Sequence, residues 1–408
     1  MFLRRYYNIY KSSGEINMQT SSTPELSPSA KPSVGRLQFI DFARGIVMAI
    51  MAWDHISGFW NEFHHGSEGV LGQAPPFLNL TWFLERFVSH ICAPSFIFLA
   101  GTVLALSAVK RLARGESQTD MTLHLIKRGL VLIILEPLLV SSAFGTSKFY
   151  FGVIACIGVS LIIFSVFRRL PLTVILAVSL IIVLNHNFLS LNFIPTDTPW
   201  GWYARVIIHE PNFEWWPYFG LYPIIPWIGV MGLGWTFGSL LASMDPERIM
   251  KLKIPLATTG VASIAMFFVV RWMNGYGNLL RRGGNTVIDW LYVSKYPPSI
   301  AFLLWTLGWM CIFLALGLAL QNHPKFGKGI TGIILAFGRN PLFFYLTHLW
   351  LYRLRLPTGL RPEPKSPLFP LEMWQTFILW MVGLVILWQL CLRYEKLKRK
   401  YPRFLQYI

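Results

Sequence analysis

The first long apolar segment carries ionisable side chains where a lipid-facing helix would have none: Asp41, Arg44, Asp54 and His55. Such groups are costly inside a bilayer and by default mark a functional site or a buried pair. Arg44 and His55 are eleven residues apart, so both project from nearly the same helix face, about 16 Å apart along the axis. A guanidinium binds phosphate in a bidentate manner, and an imidazole titrates near neutrality, as a general base must. We predict a phosphate anchor at Arg44 and a catalytic base at His55.

Two structural interpretations of this segment remain open. Asp41 and Arg44 are spaced i,i+3 and can simply pair at the helix end, and His55 can be a polar residue of the helix packing. Asp54 points to another side of the helix than its neighbour His55. We count Asp54 among the candidate catalytic residues but do not require it to orient the imidazole.

A second polar group lies in the next apolar segment and contains Glu85, Arg86 and His90. Arg86 and His90 are spaced i,i+4, so they share a helix face and come within reach of His55. We predict that Arg86 binds substrate and that His90 joins the catalytic group, with a structural role for both as an equal alternative. Pro94 should interrupt the helical hydrogen bonds that follow.

A carboxylate also lies in the middle of the third apolar segment, at Glu136 in Leu135-Glu136-Pro137. A carboxylate at this depth needs a partner or a proton. It can serve as a proton relay, as a cation site, or as the counter-charge of Arg44 or Arg86. We favour the counter-charge and place Glu136 among the side chains around the substrate.

The far half of the chain adds Lys295 and Tyr296 before one apolar segment, and Arg339 and His348 around another. We predict that Lys295, Tyr296 and His348 line the substrate site and that Arg339 meets phosphates. Arg339 and His348 are nine residues apart, so on one straight helix they would face roughly opposite sides. Purely structural roles are an equal alternative.

No metal site is predicted. His64 and His65 are adjacent but have no acidic ligand at a fixed short spacing, and the four cysteines lie in apolar segments without a CxxC pair. Small buried apolar residues are the usual role of such cysteines. Either histidine can still join a site at the membrane surface.

The composition requires a membrane around these residues. Hydrophobic residues make up 54% and charged residues 13% of the chain, with a mean hydropathy of +0.49. Apolar runs of about 18–25 residues without period-two alternation indicate spanning helices and exclude a barrel. The net charge of +17 resides in short loops and tails, which points to membrane topology and not to nucleic-acid binding.

We predict an all-α, polytopic membrane bundle of about ten spanning helices with both termini in the cytoplasm. The predicted spans are residues 39–60, 81–109, 125–143, 150–167, 171–190, 221–243, 254–273, 298–320, 338–356 and 372–393. With the N-terminus inside, the cytoplasmic segments hold 24 Lys and Arg and the outer ones hold 9, as the positive-inside rule favours. Residues 330–337 can belong to the ninth span or form an interfacial helix.

The predicted organisation has three parts. Residues 1–36 are a disordered cytoplasmic tail rich in Ser, Thr and Pro and without the apolar core of a signal peptide. Residues 37–393 form the membrane domain, and residues 394–408 form a basic cytoplasmic tail. The outer loops are rich in Trp and Tyr. These aromatic residues can form an interfacial belt, which we favour, or line a site for a sugar-like substrate.

Several of these motifs, in order over residues 36–350, resemble the membrane domain shared with heparan-alpha-glucosaminide N-acetyltransferase. They are the run Arg36–Gly45 with Met51 and Asp54-His55, then Arg86, His90–Pro94 with Phe98–Gly101, Lys127–Gly129 with Leu135-Glu136, Tyr222-Pro223 with Pro226–Gly232, Lys295–Ser299, and Phe337–Arg339 with Pro341–Tyr345 and His348. The Arg44 and His55 spacing is also similar to an Arg-x10-His pattern of membrane acyltransferases that acetylate surface glycans.

The resemblance implies a transmembrane acyltransferase that takes acetyl from cytoplasmic acetyl-CoA to an amine or hydroxyl of a sugar-like acceptor outside. Acetyl-CoA would be a co-substrate rather than a resident cofactor, with phosphates held by Arg44, Arg339, Lys127 and Arg128. In the lysosomal enzyme a histidine just outside the first shared span is implicated in catalysis, and an asparagine stands where this chain has His55. His64 or His65 falls near that histidine, so His65 joins the candidates and the choice between the histidines stays open.

A proton-coupled transporter or flippase of a polar or lipid-linked substrate is the alternative function, because intramembrane ionisable residues also line such pathways. The expected partners are the lipid bilayer and a small-molecule or glycan acceptor, with a homodimer as an open alternative and no nucleic acid. The expected location is a bacterial inner membrane.

Overall fold

The computed structural model describes residues 36–61, 63–64, 77, 79–145, 150–210, 220–353 and 371–402. His65, most of the predicted N-terminal tail and residues 403–408 lie outside the described residues. Within them the fold is all-α, with two isolated β-bridges and no strand, as predicted. The helices are α1 Gln38–Trp60, α2 Leu80–Phe87, α3 Cys92–Ala113, α4 Gln118–Leu135, α5 Ser142–Phe144, α6 Val153–Phe167, α7 Leu172–Asn185, α8 Pro199–Ile208, α9 Ile224–Ala242, α10 Pro246–Lys251, α11 Lys253–Met273, α12 Val287–Leu291, α13 Ile300–Leu320, α14 Gly329–Arg339, α15 Pro341–Arg353 and α16 Met373–Lys400.

Five described segments are long and apolar enough to cross a membrane, and α14 with α15 would make a sixth if that bent pair is one span. The five are Leu80–Ala113, Ile224–Ala242, Pro246–Met273, Ile300–Leu320 and Met373–Lys400. Helices also cover the other predicted spans, but α6 and α7 are shorter than the 18 residues required of a candidate span. The spanning character of the bundle is therefore supported, whereas the count of ten remains a prediction.

Helix α1 occupies the centre of the bundle, and helices α3, α13, α14, α15 and α16 pack around it. Its closest neighbour is α14. A Cβ atom on Gly338 would lie 1.7 Å from the carbonyl oxygen of Asp41, and one on Gly45 would lie 1.9 Å from that of Ile334. Only glycine permits backbones to approach so closely. This crossing brings the Arg44 end of α1 beside the Arg339 end of α14.

The ninth predicted span is two helices. Helices α14 and α15 meet at an angle of 98°, with Asn340 and Pro341 at the corner, because a proline cannot continue the hydrogen bonding of a preceding helix. Residues 330–337 thus belong to α14, which is separate from α15, and a location of α14 at the membrane interface stays a prediction. The straight-helix comparison of Arg339 with His348 does not apply, since the two residues lie on different helices.

Two local irregularities shape the site. The second predicted span contains a 3₁₀ segment at Val88–Ile91, and Pro94 lies just after it in the first turn of α3, where the missing N–H group leaves no bond unmade. In the third span the sequence Glu136–Ser141 is a π-helix, in which Pro137 displaces the regular i,i+4 bonds. Helix α4 also begins at Gln118, earlier than predicted, so Lys127 and Arg128 lie well inside a helix.

Candidate active site

A cavity of about 310 Å³ opens between α1, α2 and the loop before α13; we call it the histidine chamber. Its polar lining consists of Asp54, His55, His64, Arg86, Ser89, Tyr150, Tyr222, Lys295, Tyr296 and Tyr345. Sequence positions from 54 to 345 therefore meet in one cavity. Because side chains of acid, base and hydroxyl type converge on it, the chamber can support proton transfer on a bound molecule.

A short polar contact beside the chamber joins His55 of α1 to His348 of α15. His55 Nδ1 lies 2.6 Å from His348 Nε2, and the two rings are stacked. His348 is fully buried, and its Nδ1 lies 2.9 Å from the carbonyl oxygen of Phe344. The predicted place of His348 is at the substrate, whereas the structure places it behind His55 and outside the lining of the histidine chamber.

Asp54 of α1 is hydrogen-bonded to the segment that carries the second polar group. Its Oδ1 accepts hydrogen bonds from Arg86 and, at 2.7 Å, from the hydroxyl of Ser89. Its Oδ2 lies 4.0 Å from His55 Nε2. The expectation that Asp54 points away from His55 is therefore wrong, because the carboxylate turns back towards the nitrogen that His348 does not contact.

His64 also belongs to the site, as the position of the adjacent His64 and His65 and the family resemblance both allowed. Its Nδ1 lies 3.1 Å from a carboxylate oxygen of Glu85, and its Nε2 lies 3.7 Å from Asp54 Oδ1. Two carboxylates, those of Glu85 and Asp54, therefore flank the imidazole of His64. His64 and Glu85 are 21 residues apart, which is not a spacing that places two side chains together within one helix or strand. Their contact therefore could not be predicted from the sequence alone.

Lys295 and Tyr296 reach the chamber from the loop before α13. Lys295 is 4% exposed, with its ammonium group 5.2 Å from the centre of the Tyr296 ring. The hydroxyl of Tyr296 lies 3.2 Å from that of Tyr222. Both residues line the histidine chamber, and their role in substrate binding stays a prediction.

The loop that carries Lys295 is held by Arg271 at the end of α11. The Arg271 guanidinium donates to the carbonyl oxygens of Trp290 at 2.9 Å and Leu280 at 2.7 Å. Thr286 caps α12, and hydrogen bonds from its hydroxyl and its backbone N–H hold the pKa of Asp289 below its usual value. These bonds give the loop a fixed path over the chamber.

A second cavity, of about 440 Å³, lies at the other end of α1; we call it the arginine chamber. Its charged lining consists of Arg36, Asp41, Arg44, Lys110, Arg128, Arg339 and Lys398. Six cations thus face one carboxylate among these lining residues. Such an excess of cationic groups favours the binding of a polyanion.

The cations of the arginine chamber differ in their existing partners. Arg36 pairs with Asp41 at 2.5 Å, and Arg339 pairs with Glu395 at 2.8 Å. Arg44 donates to the carbonyl oxygen of Gly338 at 3.1 Å and lies 3.8 Å from Asp41. In contrast, the buried Nε of Arg128 has no hydrogen-bond partner among the described residues, and the side chain lines the arginine chamber.

A third, largely apolar cavity of about 140 Å³ lies between the two chambers and shares lining residues with each; we call it the neck. It shares Phe96, Val153 and Tyr345 with the histidine chamber, and it shares Arg44, Val103, Arg128, Pro341 and Leu342 with the arginine chamber. The remaining wall is formed by apolar side chains, Met48, Ala100, Leu132, Ile154, Ile157 and Leu161. The three cavities therefore adjoin in a row beside α1.

Three predicted site residues lie away from the chambers. His90 is buried between the rings of Phe87 and Phe302 and does not line the histidine chamber. Lys127 is exposed and does not line the arginine chamber, although its neighbour Arg128 does. Adjacent residues of a helix point about 100° apart, so only one of the pair can face the cavity.

Glu136 is the third predicted site residue that lies away from the chambers. Its Oε2 accepts a hydrogen bond of 2.8 Å from the backbone N–H of Ala155 in the first turn of α6. The counter-charges of Arg44 and Arg86 are instead Asp41 and Asp54. The predicted pairing of Glu136 with a guanidinium is therefore wrong, because a carboxylate at a helix N-terminus already has donors and a favourable dipole.

The fold and the site define a helical membrane protein in which a histidine and carboxylate centre adjoins a cationic chamber. The chain belongs to the heparan-alpha-glucosaminide N-acetyltransferase catalytic family, whose family model matches residues 36–272. The family indicates a membrane acetyltransferase. The matched residues include Arg44, His55, His64 and Arg128, whereas the segments with Lys295, Arg339 and His348 lie beyond them. No curated protein gives a significant match to the chain.

Proposed function

We propose that this protein transfers an acetyl group from acetyl-CoA in the arginine chamber to an amine or hydroxyl of a sugar-like acceptor in the histidine chamber. The observation that carries the proposal is the row of adjoining cavities from six cations, through an apolar neck, to the imidazole of His55. A ligand with phosphates at one end and a reactive group at the other matches this order of surfaces.

The donor end of the proposal rests on charge and length. Coenzyme A is a polyanion at its nucleotide end, and Arg44, Arg128 and Arg339 would bind its phosphates. Arg44 and His55 are separated by about 16 Å along α1, a span comparable with an extended phosphopantetheine arm. The apolar neck would enclose that arm. When bound, acetyl-CoA supplies a thioester whose carbonyl carbon is activated towards attack.

The acceptor end rests on the polar groups of the histidine chamber. His55 would take the proton of the acceptor amine or hydroxyl, and Asp54 would stabilise the resulting imidazolium from 4.0 Å. Arg86, Lys295 and Tyr296 would orient the acceptor through hydrogen bonds. His64, held by Glu85, would serve as a second acid–base group or as a donor to the thioester oxygen.

We propose a membrane orientation that places the arginine chamber at the cytoplasm, where acetyl-CoA is made. It keeps the predicted ten spans, with both termini inside and the histidine chamber opening on the outer side. The basic end of α16, up to Lys400, would then meet the anionic cytoplasmic surface. A bacterial inner membrane is the proposed location, and a homodimer stays a prediction.

Proteoliposomes test the proposed reaction and its direction together. Purified protein is reconstituted, radiolabelled acetyl-CoA is supplied on one side, and amino sugars or short glycans are supplied on the other. We expect labelled acceptor only when the donor is on the arginine-chamber side. Folded protein that neither binds nor consumes acetyl-CoA in either arrangement would contradict the proposal.

A further inference from the structure

His348 contacts His55 through one ring nitrogen and a backbone carbonyl oxygen through the other. This carbonyl oxygen determines which ring nitrogens carry a hydrogen. The carbonyl oxygen of Phe344, 2.9 Å from His348 Nδ1, can only accept a hydrogen bond. His348 Nδ1 must therefore carry a hydrogen. In a neutral imidazole the other nitrogen is then an acceptor, so His348 Nε2 presents a lone pair to His55.

The tautomer of His348 in turn determines that of His55. His55 Nδ1 lies 2.6 Å from that lone pair and must donate, because two facing lone pairs at this distance would repel. His55 Nε2 is then the unprotonated nitrogen of a neutral ring. The aromatic rings of Phe344, Tyr345 and Tyr352 surround His348, which is 0% exposed, so water does not compete for its nitrogens.

We propose that His348 is a positioning residue that fixes the tautomer of His55 and thereby makes His55 Nε2 the atom that accepts the acceptor's proton. This inference rests on the proposed function. It assigns His348 a role that neither the substrate-binding prediction nor the family match contains, since residue 348 lies beyond the matched segment. It also explains how a histidine can work as the base without a carboxylate on its Nδ1.

The proton balance of the proposed step follows from this tautomer. The acceptor nitrogen or oxygen forms a bond to the acetyl carbonyl carbon, and the bond from that carbon to sulfur breaks. His55 Nε2 takes the proton of the acceptor and passes it to the departing sulfur, so that His55 ends the cycle neutral. Throughout, His55 Nδ1 keeps its hydrogen and its bond to His348.

Two substitutions of His348 separate positioning from packing. In His348→Gln an amide oxygen can occupy the place of Nε2 and still accept from His55 Nδ1. In His348→Asn the shorter amide can occupy the place of Nδ1 at Phe344, but nothing reaches His55. We expect His348→Asn to lower kcat by about 10- to 100-fold, the range for a lost hydrogen bond to a charged group, with an unchanged Kd for acetyl-CoA. His348→Gln should retain kcat within about threefold.

Nitrogen NMR of histidine-labelled wild-type protein in bilayers reads the tautomer without any activity. We expect a non-protonated His55 Nε2 and a scalar coupling between His55 Nδ1 and His348 Nε2. A neutral His55 protonated on Nε2, or a His348→Asn variant with wild-type kcat, would overturn the inference. If this tautomer is present but wild-type protein transfers no acetyl group, the proposed function fails while the tautomer assignment stands.

Discussion

Arg44 and His55 lie on one face of α1 and line adjoining cavities, Arg44 the arginine chamber and the neck and His55 the histidine chamber. A single helix thus presents a phosphate-binding group and a proton-transfer group to one row of cavities. The partners of the two side chains come from elsewhere, Gly338 for Arg44 and His348 for His55. Both partners belong to the bent helix pair α14 and α15, which therefore aligns the two ends of the site.

The first prediction concerns the base. His55→Asn, which places here the residue of the lysosomal enzyme, should lower acetyl transfer by about 10²- to 10⁴-fold, the usual contribution of a general base. The Kd for acetyl-CoA, measured by calorimetry, should change little because His55 lies beyond the neck. The matched control is His323→Asn at an exposed histidine. Wild-type transfer by His55→Asn, together with inactive His64→Asn, would move the role of base to His64.

The second prediction concerns phosphate binding. Arg128→Gln removes the guanidinium whose Nε has no partner, so it should raise the Kd for coenzyme A by about 10- to 100-fold. Because the loss is electrostatic, pantetheine, which lacks the phosphates, should bind the variant and the wild type equally. Lys253→Gln at an exposed lysine of α11 is the charge-matched control. An equal weakening for pantetheine would show damage to the fold instead.

The third prediction concerns the neck. Ala100→Trp places an indole in a passage of about 140 Å³ and should abolish acetyl transfer because the chambers become separated. Phosphate-end ligands such as adenosine bisphosphates should still bind in the arginine chamber. Val261→Trp, at a 61% exposed position of α11, controls for adding the indole. Unimpaired transfer by a folded Ala100→Trp protein would exclude the neck as the route.

The fourth prediction separates the acetyltransferase from the transporter alternative through Glu136. In Glu136→Gln the amide oxygen can still accept from Ala155 N–H, so stability and acetyl transfer should stay near wild type. Glu136→Ala leaves that buried donor unpaired and should cost about 1–3 kcal/mol of stability, measured as a lower midpoint of unfolding. Proton-driven uptake that fails in Glu136→Gln but survives His55→Ala would instead support a transporter.

The sequence sufficed for those parts of the site that depend on local periodicity. The shared face of Arg44 and His55 follows from a spacing of three helical turns, and the all-α fold follows from the apolar runs. Contacts across elements could not be predicted in the same way. His55 meets His348 only because α15 turns by 98° away from α14, and no spacing within either segment encodes that angle.

Lys127 and Glu136 show two other reasons for errors. Lys127 and Arg128 point about 100° apart on α4, and which of them faces the arginine chamber depends on how α4 packs in the bundle. Glu136 was interpreted by charge alone, whereas its partner is a backbone N–H at the start of α6. A comparison of opposite charges along the sequence cannot predict a hydrogen bond to a backbone N–H at a helix end.

An experimental structure of the protein with coenzyme A in lipid nanodiscs tests the row of cavities most directly. The phosphates should lie beside Arg44 and Arg128, the pantetheine arm should pass Ala100 and Val153, and the sulfur should end near His55 in the histidine chamber. Coenzyme A bound at another surface, or density that ends in the arginine chamber with the neck closed by packed side chains, would contradict the account.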